Sequence, residues 1–190
     1  MATAAPPDTR ERILRITLEL IGREGIGAVT NRRVADAAGV SLGSLTYHFS
    51  SQAELLRDSL LLFVGEEVAR LEAIAAELRQ QRPTLEQVAA EVERIVGESA
   101  DRVRQLAEAE LHLRAARDPV LQEASRRCFE AYEGVAEAAL LTLEVPQADR
   151  HARSIVALMY GLAQRRLGTG EEDTAGVAEA LLTIVRGATR

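Results

Sequence analysis

Apolar residues recur along this chain every three or four positions, and nowhere do Val, Ile or Tyr alternate with polar residues as a half-buried strand requires. Ile13, Leu14, Thr17, Leu18 and Ile21 form such a stripe and predict a helix over residues 10–23, which Gly22, Gly25 and Gly27 bring to an end. A long stripe over residues 52–81 stops before Pro83, because proline lacks the backbone donor and restricts the residue before it. Further helices are predicted over residues 84–98, 101–116, 118–144, 146–167 and 174–187. Asp118 followed by Pro119 is a start signal, an N-cap with proline at the first helical position. The pattern is all-α, without internal repeats or low-complexity tracts.

Between the first stripe and the long one, the periodicity shortens. Val34 and Leu45 are spaced to pack two short helices together, Ala35 is small enough to let them cross closely, and Gly39 supplies the backbone angles of a tight turn. Thr30 and Ser41 stand where a side-chain oxygen can accept from the free N–H groups of each helix start. In the second helix Leu45 and Phe49 turn inward, leaving Leu42, Gly43, Ser44, Thr46, Tyr47 and His48 outside. Small and hydroxyl-bearing groups at the start of a capped helix suit close approach to base edges, and Tyr47 or His48 can reach a phosphate. The plainer alternative is a polar solvent face.

The run GREGIGAVTNRRVADAAGVSLGSLTYHFSSQAELL resembles the N-terminal DNA-binding domain of the TetR/AcrR family of bacterial transcriptional regulators. The resemblance covers the first third of the chain. It implies a three-helix DNA-binding domain with a helix-turn-helix, followed by a helical domain that binds a small molecule and dimerises. On that basis 9–55 are the DNA-binding domain and 56–190 the effector-binding and dimerisation domain, while residues 1–8 read from the sequence as a disordered lead. By position in the motif, Thr30, Arg32 and Arg33 serve the first helix of the pair, Ser41, Leu42, Ser44, Thr46, Tyr47 and His48 the recognition helix, and Gln52 the start of the next. Thr46 stands where the family commonly has an aromatic residue, and Gln52 where it commonly has lysine. The implied function is a ligand-responsive repressor that binds a palindromic operator as a homodimer and is released by its effector; activation is the less common outcome.

Composition agrees with a helical chain. Of 190 residues 47% are hydrophobic and only 3% aromatic, with alanine and leucine dominant, residues that lose little side-chain freedom in a helix. Net charge is −6, which by itself argues against nucleic acid. Residues 1–60 are neutral, however: arginines 10, 12, 15, 23, 32, 33 and 57 balance acids 8, 11, 19, 24, 36, 54 and 58. Helix N-termini and a second copy of the motif must then supply part of the attraction for phosphate. The single cysteine, Cys128, excludes a disulfide within one chain and any zinc set built on thiolates. No run approaches the roughly 18 apolar residues of a membrane span, and the N-terminus does not have the build of a secretory signal. A cytoplasmic protein is expected.

An effector site is sought among the middle helices, where Phe63, Leu106, His112, Leu113, Cys128, Phe129, Tyr132 and Tyr160 can line an apolar cavity. His112 lies one turn after Glu108, too few groups for a metal site, so no metal or cofactor is expected. Cys128 reads as a small buried hydrophobe or as a redox sensor beside Arg126 and Arg127. Glu66, Glu67, Glu91 and Glu93 read as solvated faces. Ile155, Leu158, Met159 and Leu162, then Val177, Leu181, Ile184 and Val185, fit either a four-helix dimer interface or an intramolecular core; the dimer is favoured, since two reading heads must meet major grooves about one helical turn of DNA, or a multiple of it, apart. No phosphate loop, dinucleotide fingerprint or nucleophile-base signature is present, so an enzyme is not expected. A helical protein-interaction module is the other alternative.

Overall fold

The computed structural model describes residues 8–81 and 102–170, together with Gln87, Arg94 and Gly187. Seven α-helices run through the described residues: α1 (Thr9–Glu24), α2 (Asn31–Ala38), α3 (Leu42–His48), α4 (Gln52–Gln81), α5 (Arg102–Ala115), α6 (Pro119–Thr142) and α7 (Ala148–Thr169). A single 3-10 turn, Ile26–Ala28, joins α1 to the helix pair. The helices predicted over residues 84–98 and 174–187 lie outside the described residues, as do Val177, Leu181, Ile184, Val185, Glu91 and Glu93.

Apolar spacing explains which faces are buried. α4 buries Leu55, Leu56, Ser59, Leu60, Phe63, Val64, Glu67, Val68, Leu71, Ile74, Ala75 and Leu78, one stripe along a rod about 45 Å long. Its first half closes over α1 to α3, and its whole length lies along α6. Thr17 and Ser59 sit within the apolar stripes at no polar cost, since each hydroxyl donates to the carbonyl one turn back, Ile13 at 2.8 Å and Leu55 at 2.7 Å.

One hydrophobic cluster runs without a break from Ile13, Ile21, Val34, Leu45 and Phe49 to Leu111, Leu121 and Cys128. The small helices therefore share a core with α5 and α6. At Gly22 the approach is closest: a Cβ there would lie 2.3 Å from Val103 Cγ1 and 2.6 Å from the Val103 carbonyl oxygen. Only glycine lets α1 rest on the first turn of α5. A smaller cluster at the far end joins Leu140, Val145, Ala148, Ala152 and Ile155 between α6 and α7.

The structure corrects the reading of Glu67 as a solvated residue. It is 2% exposed, on the buried stripe of α4, and its carboxylate is surrounded by donors. Arg70 reaches it with Nη2 at 2.7 Å and Nε at 3.1 Å, Tyr132 donates its hydroxyl at 2.7 Å, and Arg104 closes a third side. Burial alone would raise the Glu67 pKa; the hydrogen bonds from Arg70 and Tyr132 and the charges of Arg104 and Arg70 outweigh it and hold the group below the usual carboxylate value. Glu66, one position earlier, is exposed and pairs with Arg15 at 2.6 Å.

Candidate nucleic-acid interface

The turn between α2 and α3 is built by Gly39, whose φ of 64° and ψ of 37° fall in the left-handed region. The Gly39 N–H donates to Asp36 O at 3.2 Å and the Val40 N–H to Ala35 O at 3.0 Å, the paired bonds of a Schellman motif. Val40 then packs on the core, the hydrophobic contact that usually accompanies this ending. Both predicted caps are in place. Thr30 Oγ1 accepts from Arg33 N at 3.3 Å and Ser41 Oγ from Ser44 N at 3.0 Å. α4 carries a third cap that the sequence reading missed: Ser51 Oγ accepts from Glu54 N at 3.1 Å, and the Glu54 carboxylate takes the Ser50 N–H at 2.7 Å. The spacing Ser51-x-x-Glu54, a capping-box pattern, was the available signal.

These bonds orient α3. Leu45 and Phe49 are 0% and 1% exposed and fix its inner face, while Tyr47 is 84% exposed and Leu42 50%. Gly43 and Thr46 are exposed beside them; Ser44 and His48 are half-buried at the edges. Thr46 Oγ1 donates to the Leu42 and Gly43 carbonyls, both at 3.1 Å, so its methyl group is the part held outward by default. Tyr47 and His48 rings meet edge to face with centroids 5.3 Å apart, which limits the tyrosine's freedom without burying it. Phe49 is held from behind by the Arg10 guanidinium, 5.1 Å from the ring centroid.

Two residues expected at the DNA surface have internal partners. Arg33 donates to Ala28 O at 3.0 Å and to Glu24 Oε1 at 2.6 Å, fastening α2 to the end of α1. The Gln52 amide donates to Val29 O and ties α4 to the strand-like segment before α2. Arg32, adjacent to Arg33, is exposed and has no acidic partner among the described residues. It is the free cation of α2.

The residues expected around an effector divide into groups. His112, Phe129 and Tyr160 come together, with ring centroids 4.7 Å (His112–Phe129), 5.2 Å (His112–Tyr160) and 5.4 Å (Phe129–Tyr160) apart. His112 Nδ1 meets Ser125 Oγ at 2.7 Å, its Nε2 is buried without a hydrogen-bond partner, and Glu108 stands 3.8 Å from that nitrogen. Burial, followed by the Glu108 charge, raises the Tyr160 pKa. Phe63 and Cys128 belong to the continuous core, Tyr132 packs against it, and Leu106 is half-buried on α5. Leu113, expected in the same cavity, is 72% exposed on α5. Cys128 is 1% exposed and burial pushes its thiol up to about 12, so the thiolate that redox sensing needs is suppressed.

Among the residues expected at a dimer interface, Ile155 is buried in the chain's own core, and Met159 and Leu162 pack against the same cluster. Leu158 is half-buried. Ile155 has no surface left to offer a second copy.

Comparison with known proteins bears on the whole chain. A family model described as "Bacterial regulatory proteins, tetR family" matches residues 13–58, and one described as "Tetracyclin repressor-like, C-terminal domain" matches residues 83–189. The HTH-type transcriptional repressor KstR2 of Rhodococcus jostii (strain RHA1) is 33% identical over 84 residues, which span 44% of this chain and 41% of that protein. The chain thus matches about two fifths of that relative's length. A solved member of the TetR family, SCO1917 from Streptomyces coelicolor A3, is 29% identical with a TM-score of 0.72, covering 94% of this chain and 98% of that one. The multidrug binding protein EbrR, complexed with ethidium, is 30% identical with a TM-score of 0.68, covering 93% and 98%. A helix-turn-helix with its outer face free, an all-α body, and matches that together span most of the sequence lead to one assignment: this chain belongs to the TetR family of DNA-binding transcriptional regulators.

Proposed function

We propose that the protein is a repressor that holds a palindromic operator as a homodimer and lets it go when a small molecule binds the body. The observation that carries the DNA reading is the outer face of α3: Leu42, Gly43, Thr46 and Tyr47 are exposed on a helix whose start, turn and inner face are all fixed by hydrogen bonds and packing. A rigid helix with nothing covering its polar and small residues suits a major groove, where preorganisation lowers the cost of binding. Arg32 and the N-terminal N–H groups of α2 and α4 are the expected phosphate contacts, with Thr30, Ser41, Ser44 and His48 at the edges of the surface. Arg33 and Gln52 are expected to act by holding the helices in place.

Homodimerisation is expected from geometry, since two reading heads must meet grooves about 34 Å apart or a multiple of that distance. The interface is assigned to the exposed side of α7 with the residues that follow it, Val177, Leu181, Ile184 and Val185 among them. For the effector, the rings of His112, Phe129 and Tyr160, with an unpartnered His112 nitrogen and Glu108 beside them, suit a small molecule with an aromatic face. The complexes of EbrR with ethidium, proflavin and malachite green support that reading. Phe63, Leu106, Cys128 and Tyr132 would form its apolar wall.

Selection of bound DNA from a random pool tests the proposal. It should return an inverted repeat whose half-site centres lie about 10 base pairs or a multiple apart. Recovery of single, unrepeated sites, or of no preferred sequence, would remove the dimeric operator from the account.

A further inference from the structure

Most of the arginines near the reading head already have partners. Arg10, Arg15, Arg23, Arg33 and Arg57 are ion-paired, to Asp58, to Glu11 and Glu66, to Glu19, to Glu24 and to Asp118 respectively. Only Arg12 and Arg32 remain of the arginines in residues 1–60. A neutral head with two uncommitted cations is weakly equipped to neutralise phosphates. More positive charge lies close by, contributed by the body.

A cleft of about 440 Å³ opens between the first two turns of α4 and the corner joining α5 to α6, lined by Ala53, Arg57, Arg114, Arg117, Asp118 and Glu110, with Leu121 and the exposed Leu113 as its larger apolar groups. Ala53 is the second residue of α4, five positions after the end of α3 at His48, so the cleft reaches the N-terminal turn of the helix that follows the reading helix. Arg114 and Arg117 have no acidic partner among the described residues, and the Arg114 Nε is buried without any hydrogen-bond acceptor. Asp118 adds little negative charge to the cleft. Its Oδ2 takes the Arg57 Nε at 2.8 Å and its Oδ1 caps α6 through Val120 N at 3.0 Å and Leu121 N at 3.4 Å. Glu110 is the one acid left, against two uncommitted guanidinium groups.

We infer that the α5–α6 corner is a second DNA contact, in which Arg114 and Arg117 clamp a backbone phosphate next to the groove that α3 enters. The inference rests on the DNA-binding reading of α3 and adds the body to the interface. Arg117, exposed and without an acidic partner among the described residues, presents a guanidinium that matches a phosphate oxygen in charge and geometry, and each such contact displaces condensed cations from DNA. Because it touches no base, this clamp strengthens binding to every sequence equally. Asp118, next to Arg117 in the chain, both caps α6 and holds Arg57 of α4, so the position of the corner depends on where α6 starts.

The test compares the wild-type full chain with Arg117→Ala, Arg117→Lys and the double variant Arg114→Ala/Arg117→Ala, measuring affinity for a selected and an unselected DNA fragment across a range of salt. The expected result is a fall in affinity of the same fold for both fragments, with the salt slope reduced by about 0.9 for each phosphate contact removed. Arg117→Lys should recover most of the slope, and Arg117→Ala, at an exposed position, keeps the test valid if the double variant folds poorly. An unchanged slope in Arg117→Ala and in the double variant overturns the inference. Arg32→Ala separates the two readings: if it lowers the slope while the corner variants do not, α3 still binds DNA and only the corner contact fails, whereas wild-type protein that retains no DNA sinks both. Inorganic phosphate alone, added to the wild type without DNA, supplies the last arm; binding that depends on Arg117, with DNA affinity unmoved, would assign the cleft to a free anion and also overturn the inference.

Discussion

The head and the body of this molecule use their polar groups in opposite ways. In α2, α3 and the start of α4, hydroxyls accept from backbone N–H groups three residues on, at Thr30, Ser41 and Ser51, and the interior is apolar. In the body a carboxylate is buried, and its partners come from 3, 37 and 65 residues away, at Arg70, Arg104 and Tyr132. Local bonds of the first kind set the shape of the head without consuming its outer face. The ionic cluster of the second kind joins α4, α5 and α6, so it ties the helix that carries the head to the helices expected to sense an effector.

The difference predicts how each region fails. Leu45→Ala removes a fully buried side chain from the head and should cost about 2–5 kcal/mol, with loss of DNA binding following loss of structure; a urea midpoint unchanged by this substitution would break the picture of a head held by its apolar interior. Glu67→Gln strips the charge from the body cluster and should cost about 2–3 kcal/mol, less than a fully enclosed pair because Arg70 and Arg104 keep partial contact with water. The pH dependence sharpens this. Glu67 has a depressed folded-state pKa, so its contribution is complete above the ordinary value of 4.5 and is lost as pH falls through the folded value. Wild type and Glu67→Gln should therefore differ in urea midpoint by a constant amount at neutral and mildly acidic pH and converge below it. A gap that widens in acid would reverse the assigned direction.

Smaller effects belong to the caps. Ser41→Ala leaves the Ser44 N–H without its acceptor and should lower stability by about 1 kcal/mol, with Ser41→Gly milder; equal loss in both would show that the hydroxyl is not what the helix start uses. Smallest of all, Cys128 should react with thiol reagents only as fast as the body opens, and prompt reaction of the native protein would contradict its burial.

The same contrast explains what could be read from the sequence. The head was legible because caps, turn glycine and stripe all act within about four residues: Thr30, Gly39, Ser41, Leu45 and Phe49 do what their spacing implies. The long helix from Gln52 to Gln81 and the start at Asp118-Pro119 were legible for the same reason. Glu67 was not, since an acid on a helix reads as solvated until partners from two other helices are known. Arg33 and Gln52 have partners that the sequence does not show: by position they are expected at DNA, while in space Glu24, Ala28 and Val29 hold them. The grouping of His112 with Phe129 and Tyr160, and the exposure of Leu113, depend on how three helices rotate against one another, which periodicity leaves open.

Tyr47 offers the cleanest test of the central claim, because at 84% exposure it has little to do with folding. Measured on a fragment recovered from a random pool, Tyr47→Ala should bind at least about tenfold more weakly, roughly 1.4 kcal/mol, with an unchanged melting temperature. Equal affinity in Tyr47→Ala and in a Thr46→Ala partner variant would mean that the outer face of α3 does not touch DNA.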